Sequence, residues 1–251
     1  LHEQVLGQWM RSRGGSEEAR VIVKGAHTPN CLPDKIAEQL EISLDRLGLD
    51  HAPVYIMHRD NLDVPVGEFV DALNALVDEG LLGALGGSNW TVERFKEAGV
   101  YADVHGLKRL SILNNNLSLA VMEKPVWDGC ITSNTASMLG FLRDSKATHI
   151  SWSSQARGYF IEPGRRTELP NDTAPDTCFA SIDNAERRRR AGVLAKERGV
   201  LTHQIATAWV LGQGFPSMAL IGPRTIEELA TTLPALEAAR AFERLWNRIG
   251  P

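Results

Sequence analysis

The 251-residue sequence has no apolar run approaching the ~18 residues of a membrane-spanning helix. Its opening stretch, LHEQVLGQWMRSRGG, has none of the continuous apolar core of a secretory leader. Neither a membrane nor a nucleic acid is expected as a partner, because 27 basic residues against 31 acidic ones leave a net charge of only −4. Cysteine is scarce: Cys31, Cys130 and Cys178 are far apart and form no CxxC pair. That pattern excludes a zinc ribbon or a thioredoxin-like site and points to three buried thiols in a reducing compartment, the cytoplasm. His27, His51, His105, His149 and His203 show no metal-ligand spacing. Neither GxGxxG nor GxxxxGK[ST] occurs, so the usual phosphate-cradling loops are missing.

What is present is an alternation of short apolar runs and helical patterns. VIVKG (21–25), PVYIMH (53–58), GALGGSN (83–89), RLSILNN (109–115), THISWSS (148–154) and SMALIG (217–222) read as strands buried on both faces. Between them, Asp34 is positioned to cap a helix carrying Ile36, Leu40, Leu44 and Leu47 and stopped by Gly48. Phe69, Leu73, Leu76 and Val77 mark a helix ending at Gly80, and Thr91 caps one through Val92 and Phe95. Ile205, Ala208 and Trp209 mark a later helix. Residues 3–13 read as a helix with Val5, Leu6 and Trp9 inward. The polar stretch 162–177 reads as a surface loop followed by two helices. RRRR at 187–190 follows Asp183 and Glu186 and reads as a solvated helix face.

Most strand starts are about 30 residues apart, the size of a strand–helix–strand unit, which predicts an α/β parallel sheet, either a barrel or a doubly wound layer. The strand ends decide between them. Lys24, His58, Ser88 with Asn89, Asn114, Trp152 with Ser153, and Gly222 with Arg224 put polar chemistry at each C-terminal end, as barrel active sites do. The HRD at 58–60 is no kinase catalytic loop, because Pro65 stands where that motif needs Asn. Trp127 suits either a substrate mouth or loop packing.

In order, VIVKG, VYIMHRD, GGSNW, LNNNLSL, SWSSQARG and ALIGPRTIEEL resemble the aldo-keto reductase family over nearly the whole chain. The resemblance implies an eight-stranded TIM-type (β/α) barrel and NAD(P)(H)-dependent hydride transfer between nicotinamide and a small carbonyl or alcohol substrate. It implies that Lys24 and His58 are catalytic. It implies that Ser88, Asn89 and Asn114 hold the nicotinamide carboxamide and that Trp152 stacks on its ring. Ser153, Gln155 and Arg157 fall on the implied pyrophosphate loop, and Gly222, Arg224, Thr225, Glu228 and Thr232 in the implied adenosine-phosphate region. Arg224 favours NADP(H), with NAD(H) the alternative.

Departures from the family pattern are Asn114 for a Gln, Thr232 for an Asn, and Ser153-Ser154 for a Ser-Pro pair. The family's catalytic Asp and Tyr have no match: Tyr55, Tyr101 and Tyr159 all lie elsewhere. Six strand–helix units are found and the first two barrel strands are not. The expectation is therefore a single barrel domain over 1–251, incomplete at its N-terminus and inactive as this chain. An upstream fused domain is the partner such an expectation leaves room for. The alternatives are a non-catalytic relative that binds cofactor or a partner protein, and a plain α/β scaffold.

Overall fold

Four parallel strands built from short apolar runs organise the first half of the chain. A computed structural model describes residues 1–14, 19–162, 164 and 169–242. The chain divides into two compact units, Leu1–Asn114 and Asn115–Pro251. In the first, β1 (Ile22–Gly25), β2 (Ala52–Met57), β3 (Leu82–Ser88) and β4 (Ile112–Asn114) pair in chain order. The register sets Lys24 beside Ile56, Ile56 beside Gly86, and Ser88 beside Asn114. The polar C-terminal residues of these strands therefore share one edge of the sheet.

The connecting helices are α2 (Ile36–Leu47), α3 (Val66–Asp78) and α4 (Val92–His105), preceded by α1 (His2–Arg13). The helical stripes bury Ile36, Leu40, Leu44, Leu47, Phe69, Leu73 and Phe95, which with Val23, Ile56, Met57 and Leu85 make the apolar core. Gly48 and Gly106 close α2 and α4 in left-handed conformation, and the Thr91 hydroxyl accepts the Arg94 amide at 3.1 Å as the cap of α4.

In the second unit β5 (Thr148–Ser151) and β6 (Ser217–Ala219) are parallel neighbours. Around them lie α5 (Ala136–Asp144), α6 (Pro175–Phe179), α7 (Ile182–Arg198), α8 (Thr202–Leu211), α9 (Ile226–Thr232) and α10 (Ala235–Phe242). β4, β5 and β6 stop sooner than the sequence predicts. Trp152 survives only as an isolated bridge to Asn116.

Three local expectations are corrected. Asp34 does not cap α2: Pro33, with its fixed φ, opens a 3-10 turn over Pro33–Lys35 that runs into the helix, so no side-chain cap is used. Val5, Leu6 and Trp9 are not the inward face of α1; Val5 is 56% and Trp9 48% exposed, while Gly7 and Met10 are buried. The helix meets α2 at Gly7, where a Cβ would lie 2.5 Å from the Leu47 carbonyl oxygen, so close backbone approach decides the face and not side-chain size. Arg187 departs from the solvated RRRR face, being buried and donating to Asn184 Oδ1 at 2.8 Å. Within the expected 162–177 loop, residues 163 and 165–168 lie outside the described residues. The remainder includes a 3-10 turn, Asn171–Thr173, and the start of α6. Cys31, Cys130 and Cys178 are buried free thiols, as expected.

The α1–α2 contact makes a sharp prediction. Gly7→Ala should destabilise the protein by about 1–3 kcal/mol through overpacking against backbone. Val5→Ala, on the solvent face, should change stability by less than about 0.5 kcal/mol. Urea denaturation of the two variants checks the contrast, and an equal effect would contradict this contact.

Candidate functional site

Three strand ends of the first unit converge on one ammonium group. Lys24 Nζ donates to Asn114 Oδ1 at 2.8 Å and to Ser88 Oγ at 3.3 Å. Three inter-strand steps of about 4.8 Å separate β1 from β4, further than these two side chains bridge across a flat sheet, so the four strands must curve. The Ser88 hydroxyl is fully used. It accepts from Lys24 and from Asn89 Nδ2 at 3.2 Å, and donates to the Asn114 carbonyl at 2.7 Å. Asn89 stands in left-handed conformation, φ 60°, turning the chain sharply from β3 toward α4.

His58 follows β2 on the same edge. Its amide donates to the Gly25 carbonyl at 2.7 Å, and its ring meets that of His27 edge-on at 4.6 Å. Burial, then the positive charge of Lys24, then His27 and Arg59, hold the His58 pKa down at about 4. The imidazole is therefore neutral at pH 7, able to donate from one nitrogen and accept at the other.

Tyr55 lies inside β2 and is fully buried, and among the described residues its hydroxyl finds no partner. Desolvation first, and Cys31 second, raise its pKa well above the usual phenol range. The Tyr101 hydroxyl donates to Asp71 at 2.8 Å on the exposed side of α3 and α4. Neither phenol is arranged as a proton donor for this cluster.

The second unit gathers its predicted residues into three groups. Trp152 donates its amide to the Asn115 carbonyl at 3.4 Å, and its indole sits 6.0 Å from that of Trp127. The Arg157 guanidinium lies 5.3 Å from the Trp127 ring, while its Nε donates to the Thr173 carbonyl at 2.6 Å. Trp127 thus packs against both and is still half exposed. Gln155 forms the second group, donating to Thr207 Oγ1 at 3.0 Å and Thr232 Oγ1 at 3.4 Å. The third is the turn into α9. There the Arg224 amide donates to Glu228 Oε2 at 2.7 Å, its guanidinium pairs with Glu228 at 3.3 Å, and the Thr225 hydroxyl caps the helix. The hydrogen bond from the Arg224 amide leads the causes that lower the Glu228 pKa. Ser153 is strained at φ 46°, and a Cβ at Gly222 would meet nothing within 4 Å.

Sequence reasoning missed Asn116. Its Nδ2 donates to the Trp152 carbonyl at 3.2 Å and its Oδ1 accepts from Thr132 at 3.1 Å, so it fixes the backbone beneath the indole. The signal was the NNN run, of which only Asn114 was singled out. Also missed was a fully buried chain of Ser133, His149 and Ser151. The histidine bonds Ser133 at 2.9 Å through Nε2 and Ser151 at 3.0 Å through Nδ1, and burial holds its pKa down at about 3. Among the described residues no group of three or more His, Cys, Asp or Glu could hold a metal. No helix there is long and apolar enough to cross a membrane.

Residues 1–248 match the sequence model of the aldo/keto reductase family. An uncharacterised oxidoreductase, YrpG, of Bacillus subtilis (strain 168) is 27% identical over 267 residues, covering 100% of this chain and 78% of its own. An aldo-keto reductase of Schizosaccharomyces pombe named for NADP(+), yakc, is 22% identical over 255 residues, covering 94% and 70%. A crystal structure of a thermostable aldo-keto reductase in complex with the inhibitor epalrestat superposes with TM-score 0.71 at 21% identity, over 99% of this chain and 77% of that one. That likeness establishes the α/β fold of TIM-barrel type.

The low pKa values of His58 and His149 carry a pH prediction. Each folded value lies below the ordinary 6.5, so above pH 6.5 neither state pays for a charge. As pH falls, the unfolded chain takes up protons that the folded chain refuses. Stability should therefore drop between about pH 6.5 and 4 from His58, and on toward about 3 from His149. Urea titrations at stepped pH should give a shallower slope for His58→Asn than for the parent, by about one proton at most. Identical slopes would contradict a buried, neutral His58.

Proposed function

Because this chain belongs to the aldo/keto reductase family, a family of oxidoreductases, we propose that it binds a nicotinamide cofactor, NADP(H) over NAD(H), for hydride exchange with a small carbonyl or alcohol. The observation that carries the reading is the convergence of Lys24, Ser88 and Asn114 from three strand ends on one edge of the sheet, with His58 beside them. The donor chemistry of the residues fits the cofactor. Asn89 and Asn114 each carry an amide donor and acceptor, the pair a carboxamide requires, with Asn89 Nδ2 shared with Ser88 and the Asn114 oxygen shared with Lys24. The Trp152 indole nitrogen is buried and, among the described residues, lacks a hydrogen-bond partner. Arg224 and Thr225 suit a phosphate, although Arg224 would first have to share or release Glu228.

When bound, such a cofactor supplies or accepts the hydride. This chain's own residues supply the setting. Lys24 keeps a positive charge at the strand-end edge and fixes the Asn114 amide by occupying its oxygen. The neutral His58 ring can donate one hydrogen bond to a carbonyl oxygen, orienting and polarising it as negative charge grows there. The Ser88 hydroxyl, with its proton committed to the Asn114 carbonyl, holds the two asparagine-bearing strand ends together. No tyrosine of residues 1–251 supports the part of proton donor: Tyr55 is sealed in the core, Tyr101 faces Asp71, and Tyr159 is buried beside Phe160. That placement favours a second reading, in which these residues bind cofactor with little or no turnover.

Fluorescence titration tests both. NADPH should bind more tightly than NADH. Trp152→Ala should weaken NADPH by about 1 kcal/mol, roughly fivefold, through lost stacking. Arg224→Ala should weaken NADPH and leave NADH unchanged. Equal affinities throughout would refute the assignment. Rapid reduction of an aldehyde and ketone panel by residues 1–251 would exclude the second reading and require another acid.

A further inference from the structure

The loop carrying His58 is gripped from α4 by one buried arginine that the chemistry above does not use. Arg94 Nε donates to both carboxylate oxygens of Asp60, at 3.0 and 3.2 Å, and the two side chains are only 8% and 10% exposed. Its Nη2 donates to the carbonyls of Asn61 at 3.2 Å and Val64 at 2.7 Å, and its Nη1 reaches Glu97 at 3.4 Å. Two of its three guanidinium nitrogens, Nε and Nη2, therefore serve a single segment, residues 60–64, which begins two residues after the histidine. Beneath it, Trp90 Nε1 and Cys31 Sγ both donate to the Arg59 carbonyl at 3.4 Å, and the guanidinium lies 5.8 Å from the Trp90 ring. On the histidine's other side the backbone is fixed to β1's end, by His58 to Gly25 and by Arg59 to the Ala26 carbonyl at 3.2 Å.

We propose that Arg94 is a positioning residue for His58, holding the 60–64 segment so that the imidazole stays at the strand-end edge beside Lys24. This rests on the reading of His58 as the group that orients a carbonyl. Stability alone does not account for the arrangement. A buried ion pair is often no better than an apolar pair of the same volume, whereas a fork that meets one carboxylate and two carbonyls fixes geometry. Asp60 agrees with this: burial raises its pKa, and Arg94 opposes the rise by pairing and hydrogen bonding. The charged and titratable groups facing His58 are Lys24, His27 and Arg59. Release of the loop would let water reach the ring and relieve the desolvation that is the largest cause of its low pKa.

The test is an NMR titration of the histidine rings in the parent chain, Arg94→Met and Arg94→Lys, with NADPH affinity measured beside it. In folded Arg94→Met the His58 midpoint should rise by about one unit or more, His149 should stay low, and NADPH affinity should change by less than about twofold. Lysine keeps the charge but not the fork, so Arg94→Lys should also raise the His58 midpoint, and it decides the matter if the methionine variant fails to fold. An unchanged His58 midpoint in Arg94→Lys overturns the proposal. So does a parallel rise at His149, which would mean general loosening. If the parent chain binds no NADPH, the proposed function fails, yet the histidine titration still judges the loop.

Discussion

The hydrogen bond from Lys24 to Asn114 is the constraint on which the rest of the first unit depends. It joins the first strand of the set to the fourth, and a flat sheet would keep them apart. Closing that gap needs strands that coil, and strands coil readily here because their crossings carry small residues. Gly86 sits where a Cβ would lie 2.7 Å from the Ile112 carbonyl oxygen, and Gly87 where it would strike the Trp90 ring. With the curve in place, the parallel register delivers every strand's last polar residue to the same edge. Charge, amide and imidazole chemistry then collect there without any long loop having to fold over to bring them.

The same edge explains why its histidine is neutral. A dry surrounding first, then the positive lysine, a second imidazole and the Arg59 guanidinium, all act in one direction on His58. A protonated ring there would repel the ammonium that holds Asn114. The site therefore sets the Lys24 cation beside a neutral donor–acceptor at His58. That division suits a reaction in which negative charge appears on a carbonyl oxygen and must be met without a proton already spent. In the second unit His149 is neutral for a simpler reason, complete burial between two serine hydroxyls, and it has no comparable chemical setting.

Much of this was legible in the sequence because parallel strands buried on both faces leave dense apolar runs, and because the residues that end them differ so sharply in polarity. β1, β2 and β3 fall within one residue of their expected bounds for that reason. What was not legible depended on approach distances. The inward face of α1 was misread because Gly7, the smallest residue in the helix, makes the contact that larger Val5 and Trp9 would have been expected to make. Asp34 looked like a cap because its type and position were right, yet Pro33 had already set the turn. Arg94 and Asn116 carry no motif. An arginine one residue before Phe95 on an amphipathic helix reads as surface until Asp60, distant in sequence, arrives to pair with it.

The central claim is that the Lys24-bound Asn114 amide belongs to a nicotinamide site. The most direct measurement follows the Asn114 side-chain amide resonances by NMR while NADPH, and separately 2′-phospho-ADP-ribose, is added. The account predicts a shift with NADPH and none with the analogue that lacks nicotinamide. No shift with NADPH, or the same shift with both, would contradict it.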